Sequence, residues 1–124
     1  MENWYKKYAG IIEENHVDIN DLTDDEQILQ IRRNPKLLKY LQNPSRDVLE
    51  ALVRFDGGFL QQIKNPDAEL EKIAVESEGN AIRYVYDQTP ELQMIAVKSR
   101  PSSIIFVQHP TEQVIDYLDS LRPH

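Results

Sequence analysis

Hydrophobic residues recur along this chain at a fixed interval of 22 residues. Reading in steps of 22, four columns are apolar throughout: Val48, Leu70, Leu92, Val114; Ile31, Val53, Val75, Val97; Leu38, Leu60, Ile82, Ile104; and Leu41, Ile63, Val85, Val107. Within each interval the apolar positions are spaced as the buried stripe of an amphipathic helix requires. The pattern therefore predicts an internal helical repeat in which each unit buries its apolar side against the next unit.

Two boundaries punctuate each unit. The first boundary is Asn43-Pro44, Asn65-Pro66 and His109-Pro110, which predicts a capping residue followed by proline at the first helical position. The second boundary is the column Pro35, Gly57, Gly79 and Pro101, interpreted as a helix end at which glycine adopts the left-handed conformation. One unit opens with Thr89-Pro90, so its first helix is expected to start two residues late. Each unit is thus predicted to be a hairpin of two short helices.

The predicted fold class is all-α, an α-solenoid of about four and a half 22-residue repeats with an N-terminal capping helix. Residues 1–124 form one domain, with the cap helix and an acidic connector in 1–21, the repeats in 22–118 and a tail in 119–124. The cap helix is expected over residues 2–15, where Trp4, Tyr8, Ile11 and Ile12 form one apolar stripe. The alternative for the cluster of Trp4, Tyr5 and Tyr8 is a separate role in binding a partner.

The paired columns resemble a known class of short helical repeat. The units are similar to leucine-rich repeat variants, which resemble HEAT repeats. The similarity lies in the opening Asn-Pro, the leucine or valine that follows, the Ala-Val pairs at 74–75 and 96–97, and the glycine or proline break. The resemblance covers about residues 22–118 and implies alternating short helices, some of them 3₁₀, in a right-handed superhelix. Comparable Asn-Pro repeats occur in bacterial and phage proteins. The resemblance brings no catalytic motif.

Composition limits the classes of function. The chain has no cysteine, so it can form neither disulfides nor thiolate metal sites. It shows no signal peptide and no long apolar run, which predicts a cytoplasmic protein that does not enter a membrane. The net charge is −7, yet residues 13–26 carry seven acids and no base, so the rest of the chain is neutral. A neutral body without a basic stripe argues against direct binding of nucleic acid.

The acidic segment 13–26 has two interpretations. Thr23 and Glu26 have the spacing of a capping box, and acids at 24 and 25 suit the positive end of a helix, so a helix is predicted to begin at Asp24. The alternative is that the segment mimics nucleic acid and occupies the basic groove of a DNA- or RNA-binding protein. A calcium loop at Asp18-x-Asn20 is disfavoured because Leu22 stands where the third ligand is needed.

No active site, metal site or cofactor site is predicted. The histidines His16, His109 and His124 lack the helical spacing of metal pairs, and His109 shares a column with Asn43 and Asn65. Ser102 and Ser103 have no surrounding Ser/His/Asp motif. The chain is therefore expected not to be an enzyme and to need no cofactor.

One column on the second helix is enriched in aromatic residues: Tyr40, Gln62, Tyr84 and Phe106, flanked by Lys39, Arg83 and Tyr86. These rings either shield the seam between hairpins or form an exposed strip of the kind that interfaces favour. The candidate partner-binding residues are Tyr40, Arg83, Tyr84, Tyr86 and Phe106. A second possible surface is the variable first-helix column Arg32, Arg54, Glu76 and Lys98.

The function predicted from these features is a non-enzymatic protein-interaction module, an adaptor or inhibitor of a larger protein. If the protein came from a phage or mobile element, the more specific prediction would be an inhibitor of a host protein. The protein is expected to be a monomer or a weak homodimer, with another protein as its partner.

Overall fold

The structure, a computed structural model, describes the backbone of residues 11–12 and 17–123 and the side chains of residues 17–123. It is mostly helical, as predicted. In the described part of the chain, two short strands, β1 (Ile11–Ile12) and β2 (Val17–Asp18), precede five α-helices: α1 (Asp24–Arg33), α2 (Arg46–Phe55), α3 (Ala68–Ser77), α4 (Pro90–Ser99) and α5 (Glu112–Ser120). Between them lie 3₁₀ helices: η1 (Ile19–Asp21), η2 (Pro35–Tyr40), η3 (Gly57–Gln62), η4 (Gly79–Tyr84) and η5 (Pro101–Phe106).

The chain forms two compact units, Met1–Leu52 and Val53–His124, and the division falls within α2. In the first unit, α1 packs on η1 and η2, and η1 packs on η2. In the second unit, α3 packs on α4 and α4 on α5, while η3 packs on η4 and η4 on η5. Each α-helix of the second unit therefore contacts the next α-helix, and each 3₁₀ helix contacts the next 3₁₀ helix.

The helices begin at regular positions along the sequence. The α-helices start at residues 24, 46, 68, 90 and 112, and η2 to η5 start at 35, 57, 79 and 101. The apolar columns supply the core, since Val48, Leu70 and Val114 are buried on the α-helices and Ile82 and Val85 at the end of η4. Helices as short as these are marginal alone in water, so the burial of their apolar faces supplies most of their stability.

The caps of the α-helices differ from the prediction. The backbone N–H groups of Glu26, Val48, Leu70, Leu92 and Val114 donate to the side chains of Thr23, Ser45, Asp67, Thr89 and Thr111, respectively. The predicted caps Asn43, Asn65 and His109 are wrong, because each stands two residues before the true cap. Asn43 and Asn65 instead have φ of 49° and 50°, a left-handed conformation that asparagine tolerates. The helix after Thr89 was expected to start two residues later than the others, but α1, α2, α3 and α5 start at the corresponding position.

The two glycines of the second boundary also have a different role from the predicted one. Among the described glycines none has a positive φ, so a left-handed helix end does not explain them. A Cβ on Gly57 would lie 2.4 Å from the backbone oxygen of Ala74, and one on Gly79 would lie 2.4 Å from that of Ala96. Glycine is needed here because the first residue of η3 or η4 lies against the backbone of the α-helix that follows it in sequence.

The predicted N-terminal helix over residues 2–15 is wrong at Ile11 and Ile12. These residues form β1, which pairs antiparallel with β2, Ile11 opposite Asp18 and Ile12 opposite Val17. Two β-branched residues in succession favour extended backbone once a partner strand is present, and this pairing overrides the helical spacing. The rest of that prediction, including Trp4, Tyr5 and Tyr8, lies outside the described residues.

Candidate functional site

The aromatic column lies on the 3₁₀ helices, whose three-residue turn decides which side chains are exposed. In a 3₁₀ helix residues three apart point the same way. Ile82 and Val85 are buried and anchor the end of η4. Arg83, on the same 3₁₀ helix, is exposed, and Tyr86, which follows the end of that helix, is 99% exposed.

Arg83 joins two rings that are 22 residues apart in the sequence. Its Cζ atom lies 4.6 Å from the ring centroid of Phe106 and 5.5 Å from that of Tyr84, both within cation–π range. Both rings are half-buried, whereas Arg83 and Tyr86 are exposed. We call Arg83, Tyr84, Tyr86 and Phe106 the aromatic–arginine surface. Of the two interpretations of this column, the half-buried rings fit a seam and their exposed neighbours fit a strip.

Gln88 fixes the backbone beneath this surface. Its Nε2 atom donates to the carbonyl oxygens of Ile82 and Phe106, each at 3.0 Å, and its Oε1 atom accepts from the N–H of Gln108 at 2.9 Å. One amide therefore ties the end of η5 to η4. Sequence reasoning missed Gln88, since a glutamine in a predicted turn is indistinguishable from a solvated residue without knowledge of its partners.

The first unit repeats part of this arrangement around Tyr40. The Nζ atom of Lys39 lies 5.0 Å from the Tyr40 ring centroid. The Nδ2 atom of Asn20 donates to the Tyr40 carbonyl at 3.1 Å, and its Oδ1 atom accepts from the N–H of Gln42 at 2.7 Å. Lys39 thus precedes an aromatic residue, Tyr40, whose backbone carbonyl is bound by the side-chain amide of Asn20. Gln62, the polar member of the column, is exposed.

A second buried amide, Gln93, links two turns of the second unit. Its Nε2 atom donates to the carbonyl oxygens of Gln88 and His109, at 3.0 and 3.2 Å, and its Oε1 atom accepts from the N–H of Thr111 at 3.0 Å. Gln93 is only 3% exposed and all its bonding capacity toward the backbone serves these turns. Gln27, at the same position of α1, is also buried and donates to the carbonyl of Ile19.

Glu71 occupies this amide position in α3. Partial burial raises the pKa of Glu71, and the neighbouring carboxylates of Asp87 and Asp67 raise it further. Ionised Glu71 can only accept hydrogen bonds, whereas Gln93 at the same helix position donates two to carbonyl oxygens. The Glu71 residue is half-buried.

The first-helix column contributes to a groove between α3 and α4. This groove has a volume of about 660 Å³ and is lined by Lys72, Glu76, Glu91, Ile95, Lys98 and Ser99. The Nζ atom of Lys72 lies 3.4 Å from Oε1 of Glu91, and that hydrogen-bonded carboxylate raises the pKa of Lys72. Both signs of charge alternate around the half-buried Ile95, so the groove selects no single charge in a ligand.

Comparisons with protein-family models, with curated proteins and with solved structures find no match to this chain. The resemblance to leucine-rich repeat variants and HEAT repeats therefore stays a prediction. Within the described residues no helix is both long and apolar enough to cross a membrane. Over the same part of the chain, no group of three or more His, Cys, Asp or Glu side chains could hold a metal ion.

Two of the described acids of segment 13–26, Asp18 and Glu26, have local partners. Asp18 accepts from the backbone N–H of Asn20 at 2.9 Å. Thr23 caps α1 by accepting from the N–H of Glu26, and its hydroxyl donates to Oε1 of Glu26 at 2.8 Å. The predicted start of this helix at Asp24 is confirmed. Glu13 and Glu14 lie outside the described residues.

Proposed function

We propose that this protein is a non-enzymatic protein-interaction module, an adaptor or inhibitor of a larger protein, and that it binds through the aromatic–arginine surface. The observation that carries the proposal is Arg83, which lies over Phe106 at 4.6 Å beside the fully exposed Tyr86. Aromatic and arginine side chains supply most of the binding energy at protein interfaces. The Tyr86 ring is almost entirely in water, so it is accessible to a partner.

The finer architecture is part of the same proposal. We propose that the α and 3₁₀ helices form an α-solenoid of 22-residue repeats, an arrangement that presents extended surfaces to partners. Its support is the constant interval between helix starts, the sequential packing within the second unit, and glycines that permit close approach of η3 and η4 to the following α-helices. A host-directed inhibitor from a phage or mobile element is the narrower form of this function.

Rigidity favours this surface over the groove between α3 and α4. The backbone carrying Phe106 is held by Gln88, and the rings of Tyr84 and Phe106 are half-buried, so these two side chains lose little freedom when a partner binds. Ile105, which is 75% exposed, extends the apolar area on the same 3₁₀ helix as Phe106. The groove instead presents flexible lysine and glutamate side chains, which interfaces use less often.

Mimicry of nucleic acid is the weaker candidate. Mimicry needs carboxylates presented in rows that follow a phosphate backbone. Asp18 and Glu26 instead bond to neighbouring backbone and hydroxyl groups, which explains their presence by local structure. If mimicry were correct, replacing Asp18 and Asp21 by Asn would abolish partner binding and its salt dependence without unfolding the chain.

The test begins with affinity purification of the partner from the native host and measurement of its affinity by calorimetry. Tyr86→Ala and Phe106→Ala should each weaken that complex by about 2 kcal/mol or more, as expected of interface hot spots. Leu29→Ala is the matched control, since Leu29 is an exposed apolar residue on α1, outside the surface. Full affinity in both folded surface variants would disprove the surface, and a loss with Lys98→Glu would move the site to the groove.

A further inference from the structure

We infer that the aromatic–arginine surface binds an acidic peptide segment of its partner, with a partner carboxylate on the guanidinium of Arg83. This inference rests on the proposed function and adds the chemistry of the partner to it. The segment would place a Glu or Asp against Arg83 and apolar or aromatic side chains against Tyr86 and Ile105. Three observations carry it: the lack of an ion pair at Arg83 within residues 17–123, the distribution of charge between the helices, and a second pairing of a base with a ring.

Arg83 has ring contacts but no ion pair among residues 17–123. Two carboxylates of the second unit, those of Glu78 and Glu91, are paired instead with Arg100, at 3.1 Å, and with Lys72. Arg83 contacts the rings of Tyr84 and Phe106 through its guanidinium. The N–H donors lie in the guanidinium plane, where they fit a carboxylate in the bidentate geometry that arginine favours.

Charge is unequally divided between the two kinds of helix. The five α-helices contain twelve acids and six bases. The four six-residue 3₁₀ helices contain three bases, Lys36, Lys39 and Arg83, and no acid. A chain with a net charge of −7 therefore keeps carboxylates off the helices that carry the aromatic column. Because like charges would repel an acidic ligand, this distribution complements a negatively charged segment.

The pairing of a base with a ring occurs independently in the first unit. Lys39 and Tyr40 stand at the same positions of η2 as Arg83 and Tyr84 do of η4, and Lys39 lies over the ring of Tyr40. The corresponding positions of η3 are Gln61 and Gln62, which could donate hydrogen bonds but carry no charge. None of these positions introduces a carboxylate.

A peptide fits this surface better than a nucleic acid does. Nucleic-acid binding relies on several clustered bases that displace phosphate counterions. In the second unit η4 supplies Arg83, whereas η3 and η5 contain no base. On this surface a single guanidinium lies among apolar side chains, so it complements a peptide in which a carboxylate is flanked by apolar side chains.

The test uses fluorescein-labelled synthetic peptides in which two Glu residues are flanked by Leu and Phe, each compared with the same peptide carrying Gln in place of Glu. Binding to the full chain is followed by fluorescence anisotropy and by NMR signals of Arg83 Nε–Hε and the backbone of Tyr86. Glu peptides should bind roughly tenfold or more tightly than their Gln counterparts, as charged hydrogen bonds predict. Their affinity should fall as salt rises.

Arg83→Gln should remove the preference for Glu without weakening the Gln peptides, while the control Lys98→Gln should leave both affinities unchanged. Equal binding of Glu and Gln peptides at Tyr86 would overturn the acidic inference and leave the proposed interaction surface standing. No binding of Glu peptides at the surface would also overturn it, even if Tyr86→Ala still weakened the native partner. Loss of the Glu preference in Lys98→Gln alone would refute it in favour of the groove.

Discussion

Replacing Gly79 by alanine tests how closely η4 lies against α4. The added Cβ would stand 2.4 Å from the backbone oxygen of Ala96 and 2.7 Å from Oγ of Ser103. A carbon and an oxygen normally stay more than 3.0 Å apart. The Ala96 oxygen cannot move away freely, because it accepts the N–H of Arg100 at 2.9 Å within the end of α4.

Two opposing effects decide the magnitude. Gly79 does not have a positive φ, so alanine would restrict the unfolded chain and favour folding by about 0.4–1 kcal/mol. Overpacking against fixed backbone typically costs about 1–3 kcal/mol and sometimes more, and the short distance here places the cost at the upper end. We therefore expect Gly79→Ala to lower the free energy of unfolding by about 2 kcal/mol.

Gly58→Ala is the matched control. The three atoms nearest to its Cβ would all belong to the flexible carboxylate of Asp56, the closest at 3.1 Å, so its effect should be within about 1 kcal/mol. Urea unfolding followed by circular dichroism gives both values, provided that the dependence on urea is unchanged. Adding Ser103→Ala to Gly79→Ala should recover little, since the Ala96 oxygen remains. If Gly79→Ala were as stable as Gly58→Ala, the close approach would not explain this glycine.

Two further predictions concern Glu71 and Thr23. Because burial and the carboxylates of Asp87 and Asp67 raise the pKa of Glu71 in the folded chain, stability should fall as pH rises through that pKa, since folded Glu71 holds its proton more tightly than unfolded Glu71 does. Glu71→Gln should be more stable than wild type above the raised pKa. Urea titrations at several pH values should show that its stability changes less with pH than that of the wild type. A steeper dependence of stability on pH in the variant would contradict the argument. Thr23→Ala should lower stability by about 0.5–2 kcal/mol through loss of the cap on Glu26 N–H, whereas Thr23→Ser should retain most of it in the same assay.

The apolar columns were predictable because burial of a side chain depends on local spacing. Val48, Leu70 and Leu92 lie inside, as their 22-residue interval indicates. The glycine column was located correctly but explained wrongly, since the same residue serves a left-handed turn and a close approach, and only the distance to Ala96 separates them. The strand at Ile11 and Ile12 depends on pairing with Val17 and Asp18, which helical periodicity does not reveal.

The residues of the candidate site could be predicted from the sequence, but their arrangement in space could not. Arg83, Tyr84 and Phe106 stood out as an aromatic column with a neighbouring base. Their exposure depends on the three-residue turn of the 3₁₀ helices that carry them, and the apolar spacing alone left open whether the rings shield a seam or form an exposed strip. Gln88 could not be identified in advance, because the carbonyl of Phe106 that it binds lies 18 residues away.

The amides of Gln88 and Gln93 also restrict how the length of this chain can change. Surface turns ordinarily accept inserted residues at little cost. Here Gln88 bonds to Phe106 and Gln108, and Gln93 bonds to His109 and Thr111. The number of residues in the turn over 106–111 must therefore match the positions of these two side-chain amides. One inserted residue would move several of these backbone groups out of reach together. Natural variation in length should therefore spare this turn and add or remove helices with their connecting turns as complete blocks.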